Sequence, residues 1–97
     1  MRILEQHEIC KQLANHPEWG GGAEELTRDF TAADFPAAIA VVDKVAVIAE
    51  QMNHHPDIDI RWTTLRFRLS THSAGGVTDL DLKLAERIEE VLSDATA

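Results

Sequence analysis

Residues 34–69 read DFPAAIAVVDKVAVIAEQMNHHPDIDIRWTTLRFRL, and a change of period inside this stretch decides the fold. In its first half Phe35, Ile39, Val42, Ala46 and Ala49 recur at intervals of three and four, the spacing of one helix face. Asp34 is placed to cap this helix, because Pro36 then falls in the first turn, where a missing N–H costs nothing. Pro56 marks its far limit. Ala37, Ala40, Val41, Val45, Val47 and Ile48 make the other faces apolar as well. A helix apolar on most sides must be covered on most sides, and in so short a chain that predicts a second subunit.

After Pro56 the period becomes two. Ile58, Ile60 and Trp62 alternate with Asp57, Asp59 and Arg61; Leu65, Phe67 and Leu69 then alternate with Arg66, Arg68 and Ser70. The apolar parity switches at Thr63-Thr64, and a strand cannot change face without a bulge or a turn. Two strands with a tight reversal near Trp62-Thr63 are therefore expected, although no Asn-Gly marks the turn.

Working outward, Leu4 to Asn15 carries Ile9 and Leu13 at helical spacing and predicts a short amphipathic helix. Pro17 and Gly20-Gly21-Gly22 break that pattern, and the glycines read as a flexible turn. Leu26 to Phe30 reads as a short strand, paired with a weak one around Trp19. Beyond Gly75-Gly76, Thr78 is the expected N-cap of a last helix, with Asp81 at the capping-box position and Leu80, Leu84, Ile88 and Val91 as its buried stripe. Asp79 and Asp81 suit the positive end of its dipole. The expected order is α-β-β-α-β-β-α: an α+β fold, a four-stranded antiparallel sheet with three helices on one face.

The chain has 97 residues, the length of a single domain spanning residues 1–97. Nine basic residues against seventeen acidic ones give a net charge of −8, which argues against nucleic acid and against anionic membrane surfaces as partners. The one cysteine, Cys10, forms no intrachain disulfide and fits a reducing compartment. The start of the chain is too polar for a signal peptide, and Ala37 to Ala49 is too short to span a bilayer, so a cytoplasmic location is expected.

Three of the five histidines stand at element boundaries, where functional side chains collect: His54 and His55 after the second helix, His72 after the last strand. A His-His-Pro sequence alone is a weak sign, because imidazole and proline both suit a helix end. No Cys or second His lies at zinc spacing from any of the three, so no metal is expected. Cys10 lacks an evident base, and the Gly20 run lacks the Lys and Ser/Thr of a phosphate loop. Arg66 and Arg68 read as a solvated strand face.

Taken together, three stretches resemble one family. Glu50-Gln51-Met52-Asn53-His54-His55-Pro56, Ser70-Thr71-His72-Ser73-Ala74-Gly75-Gly76-Val77-Thr78, and Asp81 with Leu84 and Ala85 resemble the signatures of the pterin-4a-carbinolamine dehydratases. The likeness runs from about Trp19 to Val91. Departures fall at Ile58 and Ala32, where the family often has aromatics, and in a short segment between Trp19 and Asp34.

The resemblance implies a hydro-lyase that removes water from a 4a-hydroxytetrahydropterin with no cofactor. It implies His54 and His72 as acid–base groups and His55 as a pterin-binding group, with Pro56, Thr71 and Ser73 lining the site. Glu50, one helical turn before His54, is expected to orient that imidazole, and Asp81 either touches the site or only caps its helix. A dimer through edge strands, sometimes a tetramer through helices, is also implied. Relatives that act as assembly factors or as partners of transcription factors supply the competing expectation of a non-catalytic binding module.

Overall fold

The computed structural model describes residues 2–96. Its elements follow the expected order: α1 (Gln6–Gln12), β1 (Gly20–Gly21), β2 (Leu26–Thr31), α2 (Phe35–Met52), β3 (Asp57–Arg61), β4 (Thr64–Leu69) and α3 (Asp79–Thr96). The strands form one antiparallel sheet in the order β1-β2-β4-β3. β4 therefore lies inside the sheet, and β3 forms one edge.

Alternation along β4 separates two faces. Leu65, Phe67 and Leu69 are fully buried beneath α2 and α3 with Leu26, Phe30, Val45, Leu84 and Ile88. Removing a side chain as large as Phe67 from such a core costs about 3–5 kcal/mol. The opposite face carries an ionic lattice instead. Arg66 binds Asp29 through two hydrogen bonds of 2.6 and 2.8 Å, and Arg68 Nη1 lies 3.2 Å from Asp59. Both partners of the first pair are exposed, and Arg66 holds the Asp29 carboxyl below its ordinary range.

Where the elements differ from expectation, the cause is local. α1 is shorter than Leu4–Asn15, because Glu5 and Glu8 form a capping box at its start and Leu4 instead donates its N–H to the Val77 carbonyl at 2.8 Å. The first strand is Gly20–Gly21 and not a segment around Trp19, so two of the glycines expected to turn are paired with Thr27 and Leu26. α2 is capped as expected, with Asp34 Oδ1 accepting from the Ala37 N–H at 2.8 Å. Its buried face is Ala38, Val41, Val45, Ile48 and Ala49, whereas Phe35 and Val47 are exposed. Trp62-Thr63 makes the two-residue turn between β3 and β4, with Trp62 itself at φ 54°. No helix among the described residues is long and apolar enough to cross a membrane.

Candidate functional site

His54 and Asp81 meet where the end of α2 faces the first turn of α3. α2 stops at Met52 because Asn53 takes a left-handed conformation, φ 50° and ψ 43°. The Asn53 N–H then bonds the Glu50 carbonyl at 3.2 Å, and the His54 N–H reaches back to the Ala49 carbonyl at 3.0 Å. This is the Schellman pattern of helix termination. It carries His54 off the helix face but leaves its backbone tied to the helix.

The His54 imidazole is fixed at its other end. Its Nε2 lies 2.6 Å from Asp81 Oδ1, with the His54 side chain 10% exposed and that of Asp81 0%. Asp81 stands in the first turn of α3, where the helix dipole favours an anion. Its second oxygen, Oδ2, accepts from the Thr71 hydroxyl at 2.8 Å and from the Thr78 N–H at 2.9 Å. The hydroxyls of Thr71 and Thr78 lie 2.7 Å apart, and the Thr78 oxygen accepts from the Leu80 N–H at 3.3 Å. Thr71 spends its proton on Asp81, so Thr78 donates to Thr71. Among the described residues, every buried side-chain polar atom in a non-exposed residue has a partner. An ionised Asp81 is acceptor-only, which places the proton of a neutral His54 on Nε2 and leaves Nδ1 as the acceptor nitrogen.

The expected pairing of Glu50 with His54 is not formed. Glu50 Oε2 instead meets Nε2 of His55, and both side chains are largely exposed. A pairing one helical turn apart presumes that the helix continues, and it has ended before His54. Asp81, expected as a cap or a site residue, is both: it caps Thr78 with one oxygen and holds His54 with the other. Thr78 is a member of this network that the sequence suggested only as a cap.

His72 lies in the exposed turn that follows β4, closed by a bridge between Thr71 and Gly76. The Thr71 carbonyl accepts from the N–H groups of Ala74 and Gly75 at 3.0 and 2.9 Å. A Cβ at Gly76 would stand 2.7 Å from the Ala23 carbonyl oxygen, so only glycine lets this loop lie against the β1–β2 hairpin. His72 makes no side-chain hydrogen bond among the described residues, but its neighbour Thr71 binds Asp81. Ser73 is exposed, and Pro56 is half-buried where the chain enters β3. His55 and His72 are both exposed to solvent.

Among the described residues, the set of three acidic or histidine groups close enough to share a metal ion is Glu5, His7 and Glu8, on the surface of α1. Glu8 there is already held by Arg2 at 2.7 Å. The three site histidines do not form such a set.

Residues 2–91 match the family model described as pterin 4 alpha carbinolamine dehydratase. A protein of Nocardia farcinica, provisionally named a pterin-4-alpha-carbinolamine dehydratase, is 51% identical over 92% of this chain and 94% of its own. One of Chloroflexus aurantiacus with the same provisional name is 49% identical over 95% of this chain and 99% of its own. The crystal structure of a transcriptional coactivator/pterin dehydratase from Brucella melitensis superposes with a TM-score of 0.88 at 30% identity, covering 94% of this chain and 99% of that one. A pterin dehydratase-like protein identified as a RuBisCO assembly factor of the alpha-carboxysome shares the fold at a TM-score of 0.64 and 19% identity, over 76% of this chain and 86% of its own. The matched span takes in both histidine motifs and Asp81, and the chain belongs to the pterin 4 alpha carbinolamine dehydratase family.

Proposed function

We propose that this protein dehydrates a 4a-hydroxytetrahydropterin to the quinonoid dihydropterin, a step of tetrahydropterin recycling, by proton transfer from histidine and without a metal or other cofactor. The observation that carries this reading is the clamped His54: one ring nitrogen is held by a fully buried carboxylate, and the other is left to exchange a proton. The reaction asks for little more. A proton is delivered to the hydroxyl on carbon 4a, the C–O bond breaks, and water leaves. A second proton is lost from the adjacent ring nitrogen, whose electron pair forms the C=N bond. An imidazole titrates near neutrality and can serve in either step, each such transfer being worth about 10²–10⁴-fold in rate.

His54 and His72 are the acid–base pair in this reading, and His55 binds and orients the pterin. Asp81 is a positioning residue that sets the tautomer of His54; Glu50 positions His55. Pro56 and Ser73 line the site. Thr71 lines the site as well, its hydroxyl bracing Asp81. The polypeptide functions as one dehydratase-like domain in the cytoplasm.

A homo-oligomer is part of this reading. β3 is an unpaired sheet edge with Ile60 and Trp62 exposed beside it, which supports a dimer. Phe35 and Val47, exposed on α2, offer a second contact that would join dimers into a tetramer. The intact His54–Asp81 pair favours the enzyme over a non-catalytic binding module, which has no use for a fixed tautomer.

The test is the rate of dehydration of a 4a-hydroxytetrahydropterin by purified protein, with and without a chelator. Acceleration that survives chelation supports the reading. Activity that a chelator removes and zinc restores refutes the metal-free mechanism, and a folded but inactive protein refutes the enzyme.

A further inference from the structure

The largest apolar exposures beside a sheet edge lie at the lower end of β3. Ile60 is 44% exposed and Trp62 87% exposed, with Trp62 held at φ 54°. Two-residue hairpins favour glycine, asparagine or aspartate where φ is positive. A bulky aromatic there is strained, and the indole gains almost no burial within its own chain. Strain kept at such a position points to use outside the chain.

The hairpin fixes which backbone groups of β3 are free. Its closing pair, Arg61 and Thr64, is hydrogen-bonded, so alternation commits Asp57, Asp59 and Arg61 to β4. The N–H and C=O groups of Ile58 and Ile60 then face outward. A second copy can pair antiparallel with them about a two-fold axis in three registers. A two-fold at Ile58 sets Asp57 against the partner's Asp59, twice, and like charges directly opposed are destabilising. A two-fold at Asp59 sets that carboxylate against its own copy. A two-fold at Ile60 sets Ile60 against itself, Asp59 against the partner's Arg61, and Trp62 against the partner's Ile58. Only this last register opposes unlike charges alone; the Asp59-centred one also covers Ile60 and Trp62 and pairs Asp57 with the partner's Arg61, but it sets Asp59 against its own copy.

We propose that β3 dimerises in the Ile60-centred register and that Trp62 of each chain thereby walls the pterin site of the other. The proposal rests on the dimeric pterin-dehydratase reading above and adds to it a residue acting in trans. Ile58 shares the helix-covered face, since its partner on β4 is the fully buried Phe67. It lies two residues beyond Pro56, which joins β3 to His54 and His55. An aromatic ring reaches the diagonal neighbour on the same face of a ladder, here Pro56. The indole of the partner's Trp62 would so stand over Pro56, the residue next to His54 and His55, and offer a face on which a planar pterin stacks. The Asp59-centred register brings Trp62 to the same end, opposite Pro56.

Two experiments test this. The first pairs Trp62→Gly, which suits the left-handed turn and should stay folded, with His54→Ala. Trp62→Gly alone should raise KM for the pterin about tenfold, with a smaller fall in kcat. A mixed dimer of the two variants, isolated through two different tags, holds one site with both residues intact. It should regain wild-type KM at about half the wild-type rate. A mixed dimer that keeps the raised KM places Trp62 in its own chain's site and overturns the proposal. The second experiment needs no activity. In a Cys10→Ser background, a chain with Trp62→Cys is mixed with a chain with Ile58→Cys under mild oxidant. Trapping as a covalent dimer supports the Ile60-centred register, and trapping of Trp62→Cys with Pro56→Cys instead overturns it. A monomer in sedimentation, or no trapping, overturns the wall altogether. If the pair is trapped but the wild-type protein proves inactive, the functional reading fails and the interface stands.

Discussion

Replacing Asp81 by asparagine isolates the role of one buried charge. The carboxylate accepts three hydrogen bonds, from His54, the Thr71 hydroxyl and the Thr78 N–H. The amide of Asn has one acceptor oxygen, and the Thr78 N–H cannot turn away, so that oxygen must take the place of Oδ2. The NH₂ group then faces His54, which can meet it only by accepting at Nε2. The imidazole proton moves to Nδ1, the nitrogen that the mechanism needs free. Three charge-assisted bonds become neutral, a loss of roughly 1 kcal/mol each, offset in part because an ionised carboxylate no longer has to be buried. The net cost should be about 1–2 kcal/mol, and the melting temperature should fall by roughly 4–8 °C for each of these. The rate should suffer far more, with kcat down about 10²–10⁴-fold, the worth of one proton transfer. Two measurements check this: steady-state dehydration kinetics, and ¹⁵N NMR of the His54 ring, which reports the protonated nitrogen directly. A variant with wild-type kcat, or with the proton still on Nε2, refutes the claim that Asp81 sets the tautomer.

Three further outcomes follow from the same geometry. His54→Ala and His72→Ala should each lower kcat with little change in KM, their double variant should be far worse than either, and His55→Ala should act mainly on KM; unchanged kcat in the double variant would reassign the proton transfer. Glu89 accepts from Trp19 Nε1 at 2.8 Å and from Arg28 Nε at 2.5 Å, with both charged side chains almost buried, so Glu89→Ala should cost about 3 kcal/mol in urea unfolding and leave kcat intact in the folded protein. Glu8 is held at about 2, below its ordinary 4.5, chiefly by its hydrogen bond with Arg2. A depressed carboxyl adds stability above its unfolded value that is lost as pH falls through its folded one, so the stability difference between wild type and Glu8→Gln should be constant above pH 4.5 and shrink as pH falls towards 2.

The strands β3 and β4 were legible because strict alternation leaves one choice of face, and the parity switch at Thr63-Thr64 leaves one place for the turn. The caps at Asp34 and Thr78 were legible for a similar reason: short polar side chains stand just before apolar periodicity. β1 was not, because Gly20 and Gly21 have no side chains to alternate. The buried face of α2 was not, because a helix apolar on every side gives the pattern nothing to choose between; Phe35 was a natural anchor and is exposed, while Ala38 and Val41 are buried. In the site, both histidine motifs and Asp81 stood out, but their partners did not. The left-handed Asn53 ends α2 one residue before His54, and that single dihedral hands Glu50 to His55 and leaves His54 for a carboxylate 27 residues away.

The clamp on His54 also joins the end of one long helix to the start of the other, and α2 and α3 pack on each other over the core. Binding sites are usually drawn from the parts of a protein that open first. Here the imidazole is bonded to a fully buried carboxylate of the second helix, so separation of the two helices breaks the clamp together with the core. Slow amide exchange at Thr78 should therefore track global unfolding, and heat should destroy catalysis and fold in a single transition. Any substitution that tightens the α2–α3 contact would raise the temperature limit of the chemistry by the same amount as that of the fold.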